Sequence, residues 1–168
     1  LWLRADSVFA NDDIWKDVSG NAVDALPSTN NMPSTSQMNY NPCFELPGNC
    51  HFGATLQNLV SKKTDVIIVY ETNDSVMENG LWSLTTDSAT RIGLTSHCIL
   101  SESGLITYDT LNRRKTVINY LAQSREIAPI PVSRLAIGSA DSIPFEGRLA
   151  EFLLFDGHIG DTLLTQWL

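Results

Sequence analysis

The sequence feature that most constrains the fold is a succession of short strand-like runs separated by turn residues. Turn pairs such as Asn79-Gly80 and Ser103-Gly104 interrupt the apolar runs at short intervals. The clearest buried strand is the segment 65–71, which contains four consecutive aliphatic residues. The other predicted strands are 1–4, 43–46, 51–56, 80–84, 90–94, 104–109, 115–121, 133–137 and 147–155. Many short strands with regular turns predict an all-β domain, an antiparallel sandwich or barrel.

Two stretches depart from the strand pattern. Residues 27–41 are polar and rich in Ser, Thr, Asn and Met, so we expect an exposed loop there. Near the C-terminus, Asp161 can cap a helix whose apolar face carries Leu163, Leu164, Trp167 and Leu168. We therefore expect a short C-terminal helix packed on the sandwich. No internal repeat or second domain is visible, so residues 1–168 are predicted to be a single domain, cut from a larger multidomain protein.

The charge and hydropathy of the chain argue against two kinds of partner. Its net charge is −8, whereas a nucleic-acid-binding surface needs a basic patch. The main basic cluster, Arg113-Arg114-Lys115, is typical of a solvated turn or strand end. No apolar stretch is long enough to span a bilayer. We expect neither nucleic-acid binding nor membrane insertion.

The three cysteines leave the redox state open. Cys43 and Cys50 bracket Pro47-Gly48, and a hairpin turning at that pair would allow a Cys43–Cys50 disulfide. Two free thiols that pack as small hydrophobic side chains explain the same residues equally well. Cys98 has no evident partner in either case. No CxxC motif occurs, so the sequence does not predict a zinc site.

Three segments, taken in order, resemble the concanavalin A-like superfamily, in particular bacterial laminin G-like jelly-roll domains. They are LWLRAD with WKDVSGN and DA (1–6, 15–21, 24–25), NYNPCFELPG (39–48), and LAIG with FEGRLAEFLLF (135–138, 145–155). The resemblance implies a jelly-roll β-sandwich of two antiparallel sheets with a short closing helix. It also implies an extracellular or cell-surface location, with neighbouring domains on the same polypeptide. This fold hosts lectins, glycosidases, adhesion modules and spacers, so it does not fix a function.

The turn after Trp15 is the best candidate for a metal site. The resemblance implies a structural calcium ion at the rim of the sandwich, near Ser19-Gly20-Asn21. Asp17, Asn21 and Asp24 would supply the hard oxygen ligands that calcium prefers. The alternative is that Asp17 accepts hydrogen bonds from the backbone of the turn, which explains the same residues without a metal.

Carbohydrate binding requires an aromatic platform with flanking polar groups, because sugars offer apolar faces and many hydroxyls. Trp82, Tyr108 and Tyr120 are candidates for the platform, and Asn30 and Asn31 are candidates for its rim. The alternative is that these aromatic side chains fill the core. Trp2 and Trp167 are interpreted as structural residues at the sandwich edge.

Catalytic motifs are missing from the sequence. Retaining glycosidases of this superfamily carry an E-x-D-x-x-E strand, which places carboxylates on one face, and no such strand occurs here. In the predicted strand 147–155, alternation places Leu149, Glu151, Leu153 and Phe155 on one face and Ala150, Phe152 and Leu154 on the other. The odd spacing of Glu151 and Asp156 would put their carboxylates on different faces. Asp13 and Asp17 flank Trp15 as an acid/base pair or sugar platform would, but a turn scaffold explains them better. His51, His97 and His158 are isolated. The sequence therefore predicts that the chain is not an enzyme.

Three functions follow, in order of preference. The first is a noncatalytic module that recognises a glycan or a protein. The second is a structural spacer or interaction domain without a small ligand. The third is a glycoside hydrolase or lyase, which would need a carboxylate pair that the sequence does not supply.

Overall fold

The computed structural model describes residues 1–7, 14–28, 33–59, 64–72, 78–86, 90–96, 98–101, 104–107, 117–122, 132–157 and 159–160. These residues form β-strands and one short 3-10 turn, Ala5–Ser7. The strands are β1 (Trp2–Arg4), β2 (Leu26–Pro27), β3 (Ser34–Met38), β4 (Asn41–Pro47), β5 (Phe52–Leu59), β6 (Thr64–Thr72), β7 (Gly80–Thr85), β8 (Thr90–Thr95), β9 (Cys98–Ser101), β10 (Gly104–Thr107), β11 (Val117–Ala122), β12 (Val132–Ile137), β13 (Ser139–Ala140), β14 (Ile143–Pro144) and β15 (Glu146–Asp156). The all-β prediction is confirmed.

Two antiparallel sheets make up the body of the protein. The first sheet has the order β11-β6-β15-β4-β3, and β1 pairs with β15 outside this path. The second sheet has the order β10-β9-β8-β7-β12-β5-β2. The small β13–β14 hairpin forms a third, separate ladder. No helix in the described part of the chain has the length and apolarity needed to cross a membrane.

The core lies between the two large sheets. Phe44 of β4 and Phe52 of β5 come from opposite sheets, and their ring centroids are 4.9 Å apart. Trp15 packs against both rings, at 5.1 Å from Phe44 and 5.0 Å from Phe52. All three side chains are almost fully buried. Trp15 is therefore an apolar plug beside a turn, and β-sandwich packing follows from this shared aromatic cluster.

The strand β15 alternates differently from the sequence-based expectation. Simple alternation placed Leu149 and Glu151 on one face, but the register against β6 shifts between these two residues. This β-bulge adds one residue, so Leu149, Phe152 and Leu154 share the core. Ala150 and Glu151 lie on the opposite, outer face. The predicted face assignment is wrong for residues after the bulge, because a bulge reverses the period-two pattern.

Part of the predicted loop 27–41 is strand. The segment Ser34–Met38 is β3, which pairs with β4 and ends the first sheet. An edge strand exposes one side to solvent, so Ser, Thr and Gln side chains are tolerated there. This explains why a polar segment folds as a strand.

Cys43 and Cys50 are free thiols. The segment Pro47-Gly48 does not turn a hairpin, because β4 belongs to the first sheet and β5 to the second. It connects the two layers, so a Cys43–Cys50 disulfide does not form. Burial raises the pKa of both thiols. The side chain of Cys98 and the predicted C-terminal helix, with Asp161, Leu163, Leu164 and Trp167, lie outside the described residues.

Candidate functional site

The Asp17 carboxylate organises the turn after Trp15. Its Oδ1 atom accepts hydrogen bonds from the backbone N–H groups of Trp2 and Ser19, both at 2.9 Å. Its Oδ2 atom accepts one from the Ser19 hydroxyl at 2.9 Å and one from the Val23 N–H at 3.1 Å. Burial opposes ionisation of this carboxyl, but the four hydrogen bonds outweigh it and lower the pKa of Asp17.

The other two residues proposed for calcium are also engaged with protein groups. Asp24 accepts a hydrogen bond from the Asp17 N–H at 2.9 Å and forms an ion pair with Lys16 at 3.2 Å. Asn21 donates its side-chain amide to the Ser19 hydroxyl at 2.8 Å. Among the described residues, no three His, Cys, Asp or Glu side chains are grouped as metal ligands. The Asp17 oxygens thus face N–H and O–H donors of the protein. The structural calcium stays a prediction.

Of the residues predicted to form a sugar platform, only Trp82 has a described side chain. Trp82 is 1% exposed in the core, so its ring cannot stack on a ligand and that prediction is wrong. Tyr120 pairs with Ile67 in the first sheet, but its side chain lies outside the described residues. Tyr108, Asn30 and Asn31 also lie outside them.

The carboxylates considered for catalysis are also not assembled. Glu151 and Asp156 line two different clefts. Asp17 is held by its turn, while Asp13 lies outside the described residues, as do His97 and His158.

A cleft of about 620 Å³ lies on the outer face of the first sheet. Leu3 is buried in the core, so its neighbours Trp2 and Arg4 in β1 point to the opposite side of the sheet. Its lining combines apolar and polar side chains. We name it the turn cleft, and its lining includes Arg4, Asp6, Asn39, Asn41, Val69 and Glu151. Its size is typical of small-ligand sites.

A chain of polar contacts fixes one wall of the turn cleft. The Trp2 indole N–H donates to Oε1 of Glu151 at 2.5 Å. The guanidinium of Arg4 lies over the Trp2 ring, 5.7 Å from its centroid, and forms an ion pair with Asp6. A cation over an indole face is attracted by the ring quadrupole. These contacts orient a carboxylate, a guanidinium and a second carboxylate along one side of the cleft.

The tight turn between β3 and β4 forms the rim of the turn cleft. Asn39 and Asn41 line the cleft, and Tyr40 between them is 98% exposed. Asn39 and Tyr40 have φ values of 50° and 66°, as the central residues of a type I′ hairpin turn require. Asparagine adopts this left-handed conformation readily, but tyrosine does so at a cost. The turn therefore holds a large aromatic ring in solvent, in a strained conformation, beside polar amides.

A second cleft of about 670 Å³ lies on the other side of Trp2. Its lining includes Ser19, Asn21, Val23, Thr55, Leu154 and Asp156. The half-buried rings of Trp2 and Phe155 and several aliphatic side chains also line it. The turn cleft instead carries three charged side chains and two asparagines in its lining. The turn cleft is therefore the better candidate for recognition of a polar ligand.

Sequence reasoning missed the turn cleft for three physical reasons. Tyr40 belongs both to the predicted loop 27–41 and to the segment NYNPCFELPG, and neither interpretation predicts a hairpin turn. The Asn-Tyr-Asn sequence next to an apolar run is nevertheless a usable turn signal. Glu151 was placed on the wrong face because the bulge in β15 cannot be read from alternation. Arg4 and Asp6 join the site only through the long-range pairing of β1 with β15.

Solved structures with a similar fold come from carbohydrate-active proteins. Domain 4 of AbnA, a GH43 extracellular arabinanase from Geobacillus stearothermophilus in complex with arabinotriose, has a TM-score of 0.73 and 14% identity. That match covers 98% of this chain and 95% of the domain. A Trypanosoma rangeli sialidase in complex with sialic acid has a TM-score of 0.68 and 11% identity, over 98% of this chain and 31% of the sialidase. No protein-family profile matches the sequence, and neither does any curated protein.

These comparisons correct the expectation that the chain is not an enzyme. The structures with this fold are parts of glycoside hydrolases, a sialidase and an arabinanase. The expectation rested on the absence of known catalytic motifs from this sequence. Missing motifs do not tell whether the same fold occurs within enzymes. The chain spans only 31% of the sialidase. At these identities the likeness shows the fold alone, and the concanavalin A-like assignment stays a prediction.

Proposed function

We propose that this chain is a carbohydrate-binding domain of a glycan-processing protein, and that it binds oligosaccharides in the turn cleft. The observation that carries this proposal is Tyr40, which is 98% exposed between the cleft residues Asn39 and Asn41. An exposed ring on a strained turn is costly, and such strain is concentrated at functional sites.

The side chains around the turn cleft match the chemistry of a sugar. The Tyr40 ring offers an apolar surface to the C–H face of a sugar ring, and its hydroxyl offers a hydrogen bond at the edge. The Asn39 and Asn41 amides both donate and accept, as neighbouring sugar hydroxyls do. The Glu151 carboxylate accepts hydrogen bonds, and its position is fixed by the Trp2 indole. This preorganisation reduces the entropy lost on binding.

The structural comparisons support the same proposal. The arabinanase domain whose length this chain nearly matches was solved with arabinotriose. We infer a concanavalin A-like jelly-roll architecture and an extracellular or cell-surface location, with further domains of a glycoside hydrolase on the same polypeptide. The partners would then be glycans and those neighbouring domains.

Binding can be tested with a glycan array, followed by calorimetric titration of each oligosaccharide that the array identifies. We expect Tyr40→Ala to weaken binding at least ten-fold, because it removes the apolar surface that contacts the sugar. Tyr40→Phe should keep most of the affinity, since the ring remains. Leu26→Ala is the matched control: Leu26 is a 54% exposed hydrophobic residue of β2 in the second sheet.

The proposal would be wrong if the folded protein bound no glycan on the array. It would also be wrong if Tyr40→Ala and Leu26→Ala bound as tightly as the unmodified protein. The first result would favour a structural spacer, and the second would move the site away from the turn cleft.

A further inference from the structure

We infer that the turn cleft selects neutral oligosaccharides and excludes sugars that carry a carboxylate, such as sialic or uronic acids. The inference rests on the proposed carbohydrate-binding function and specifies its substrate class. It follows from the charges that line the cleft and from the partners that these charges already have.

The charged groups inside the turn cleft are one guanidinium and two carboxylates. Arg4 forms an ion pair with Asp6 and lies over the Trp2 ring. Glu151 accepts the neutral Trp2 indole N–H and lies opposite Arg4 in the strand register, so two carboxylates share one guanidinium. The described lining therefore carries a formal charge of −1, and its guanidinium is already occupied by a carboxylate.

The same arrangement continues along the outer face of the first sheet. Arg148 of β15 lies between Glu45 of β4 and Glu71 of β6 in the strand register. Its guanidinium forms an ion pair with Glu71 at 3.2 Å. An anionic sugar on this part of the sheet would thus meet guanidinium groups that already have carboxylate partners.

A carboxylate on the ligand would weaken binding in such a site for two reasons. It would lose its hydration without gaining a free cation, and it would approach Glu151 as a like charge. A sugar hydroxyl avoids both costs, because it can donate to Glu151 or Asp6 and accept from an asparagine amide. Neutral and anionic sugars of the same size should therefore differ in affinity.

The inference can be tested with neutral and anionic oligosaccharides. α-1,4-galactotriose and α-1,4-trigalacturonate differ only in bearing CH2OH or a carboxylate at C6. 3′-Sialyllactose, which adds a sialic acid residue to lactose, is a second anionic probe, and lactose and arabinotriose are further neutral probes. Titration calorimetry at low ionic strength should give dissociation constants at least ten-fold lower for the neutral probes. The difference should shrink in high salt, because salt screens exposed charges.

A charge-neutralising variant identifies the group responsible. Glu151→Gln keeps an oxygen that can accept the Trp2 N–H but removes the negative charge. We expect it to reduce the neutral-to-anionic affinity ratio at least three-fold. Asp156→Asn is the matched control. It removes one exposed charge at the C-terminal end of β15, in the second cleft, and should leave the neutral-to-anionic affinity ratio unchanged.

The outcomes separate this inference from the proposed function. Binding of neutral probes with weak binding of anionic ones supports both. Equal or tighter binding of trigalacturonate or 3′-sialyllactose would overturn the charge selectivity and leave carbohydrate binding intact. The same holds if Glu151→Gln changed the ratio no more than Asp156→Asn did. If no probe of either charge bound and the array were also blank, the proposed function itself would fail.

Discussion

Tyr40 combines an exposed aromatic ring with a left-handed backbone, and these two properties make opposite demands on stability and binding. Glycine reaches the same φ of 66° without steric cost. Tyr40→Gly should therefore raise the free energy of unfolding by about 0.5–1 kcal/mol, even after the entropic cost of glycine. The melting temperature should rise by roughly 1–4 °C.

The comparison with Tyr40→Ala isolates the backbone effect. Alanine also lacks the ring but keeps the left-handed strain, so it should bind glycan poorly without any gain in stability. Differential scanning calorimetry of the two variants provides the measurement. Equal melting temperatures for Tyr40→Gly and Tyr40→Ala would show that the turn is not strained.

Asp17 stabilises the fold through four hydrogen bonds to its ionised carboxylate, so its contribution depends on pH. Its pKa is lowered in the folded protein. The stabilisation is therefore present above the ordinary aspartate pKa and is lost as the pH falls through the lowered, folded value. At pH 7, Asp17→Asn should cost about 2 kcal/mol, because hydrogen bonds to a charged group are lost or weakened.

Chemical denaturation at several pH values checks this prediction. The difference between the unmodified protein and Asp17→Asn should shrink steadily in acid. Asp156→Asn, at an exposed position, should show no such trend. A stability difference for Asp17→Asn that stayed constant down to the most acidic pH would contradict the account.

The hydrogen bonds of Asp17 also predict how the protein responds to calcium. Because the carboxylates of Asp17 and Asp24 already accept hydrogen bonds from protein groups, neither added calcium nor EDTA should change the melting temperature measurably. A rise with calcium, lost in Asp17→Asn, would establish the metal site that the sequence resemblance implies.

At the scale of elements, β15 is central to the first sheet, since it pairs with β1, β4 and β6. Gly147 makes one of these contacts possible: a Cβ atom there would lie 2.1 Å from the Glu71 carbonyl oxygen. Gly157 also has a positive φ, but a Cβ atom added there meets nothing within 4 Å. Gly147→Ala should therefore cost roughly 3 kcal/mol, against about 1 kcal/mol for Gly157→Ala.

Urea denaturation of the two glycine variants measures this difference directly. Both variants introduce the same methyl group at a positive φ, so the excess for Gly147→Ala reports the backbone clash alone. Equal losses would mean that β15 and β6 are not as close as described.

The elements also show how far sequence reasoning reaches. Apolar runs such as 65–71 predicted their strands because burial on both faces leaves a clear pattern. The sequence pattern did not predict the edge strand Ser34–Met38, because its solvated side carries polar residues and removes the apolar signal. The assignment of Glu151 failed at the bulge in β15, and the expected Pro47-Gly48 hairpin failed because sheet membership depends on long-range pairing. Local sequence patterns thus predicted most of the strands, but not the sheet to which each strand belongs.

For the whole molecule, the core and the candidate site lie on opposite faces of the first sheet. The Trp15, Phe44 and Phe52 cluster fixes the two layers together. Arg4, Asn39 and Glu151 line the cleft on the outer face, and Tyr40 next to Asn39 is exposed to solvent. Phe52→Ala should therefore cost roughly 3–5 kcal/mol, as truncations of buried aromatic residues do. Tyr40→Ala should leave thermal stability nearly unchanged. Calorimetry that found a large loss for Tyr40→Ala would show that the turn belongs to the core.

The central claim is that oligosaccharides bind in the turn cleft, and an NMR titration tests it most directly. The amide resonances of the protein are followed while a neutral oligosaccharide from the array is added. The account predicts saturable shifts at Arg4, Asn39, Asn41 and Glu151, with little change around Ser19 in the second cleft. Shifts confined to the Ser19 region, or none at saturating sugar, would contradict it.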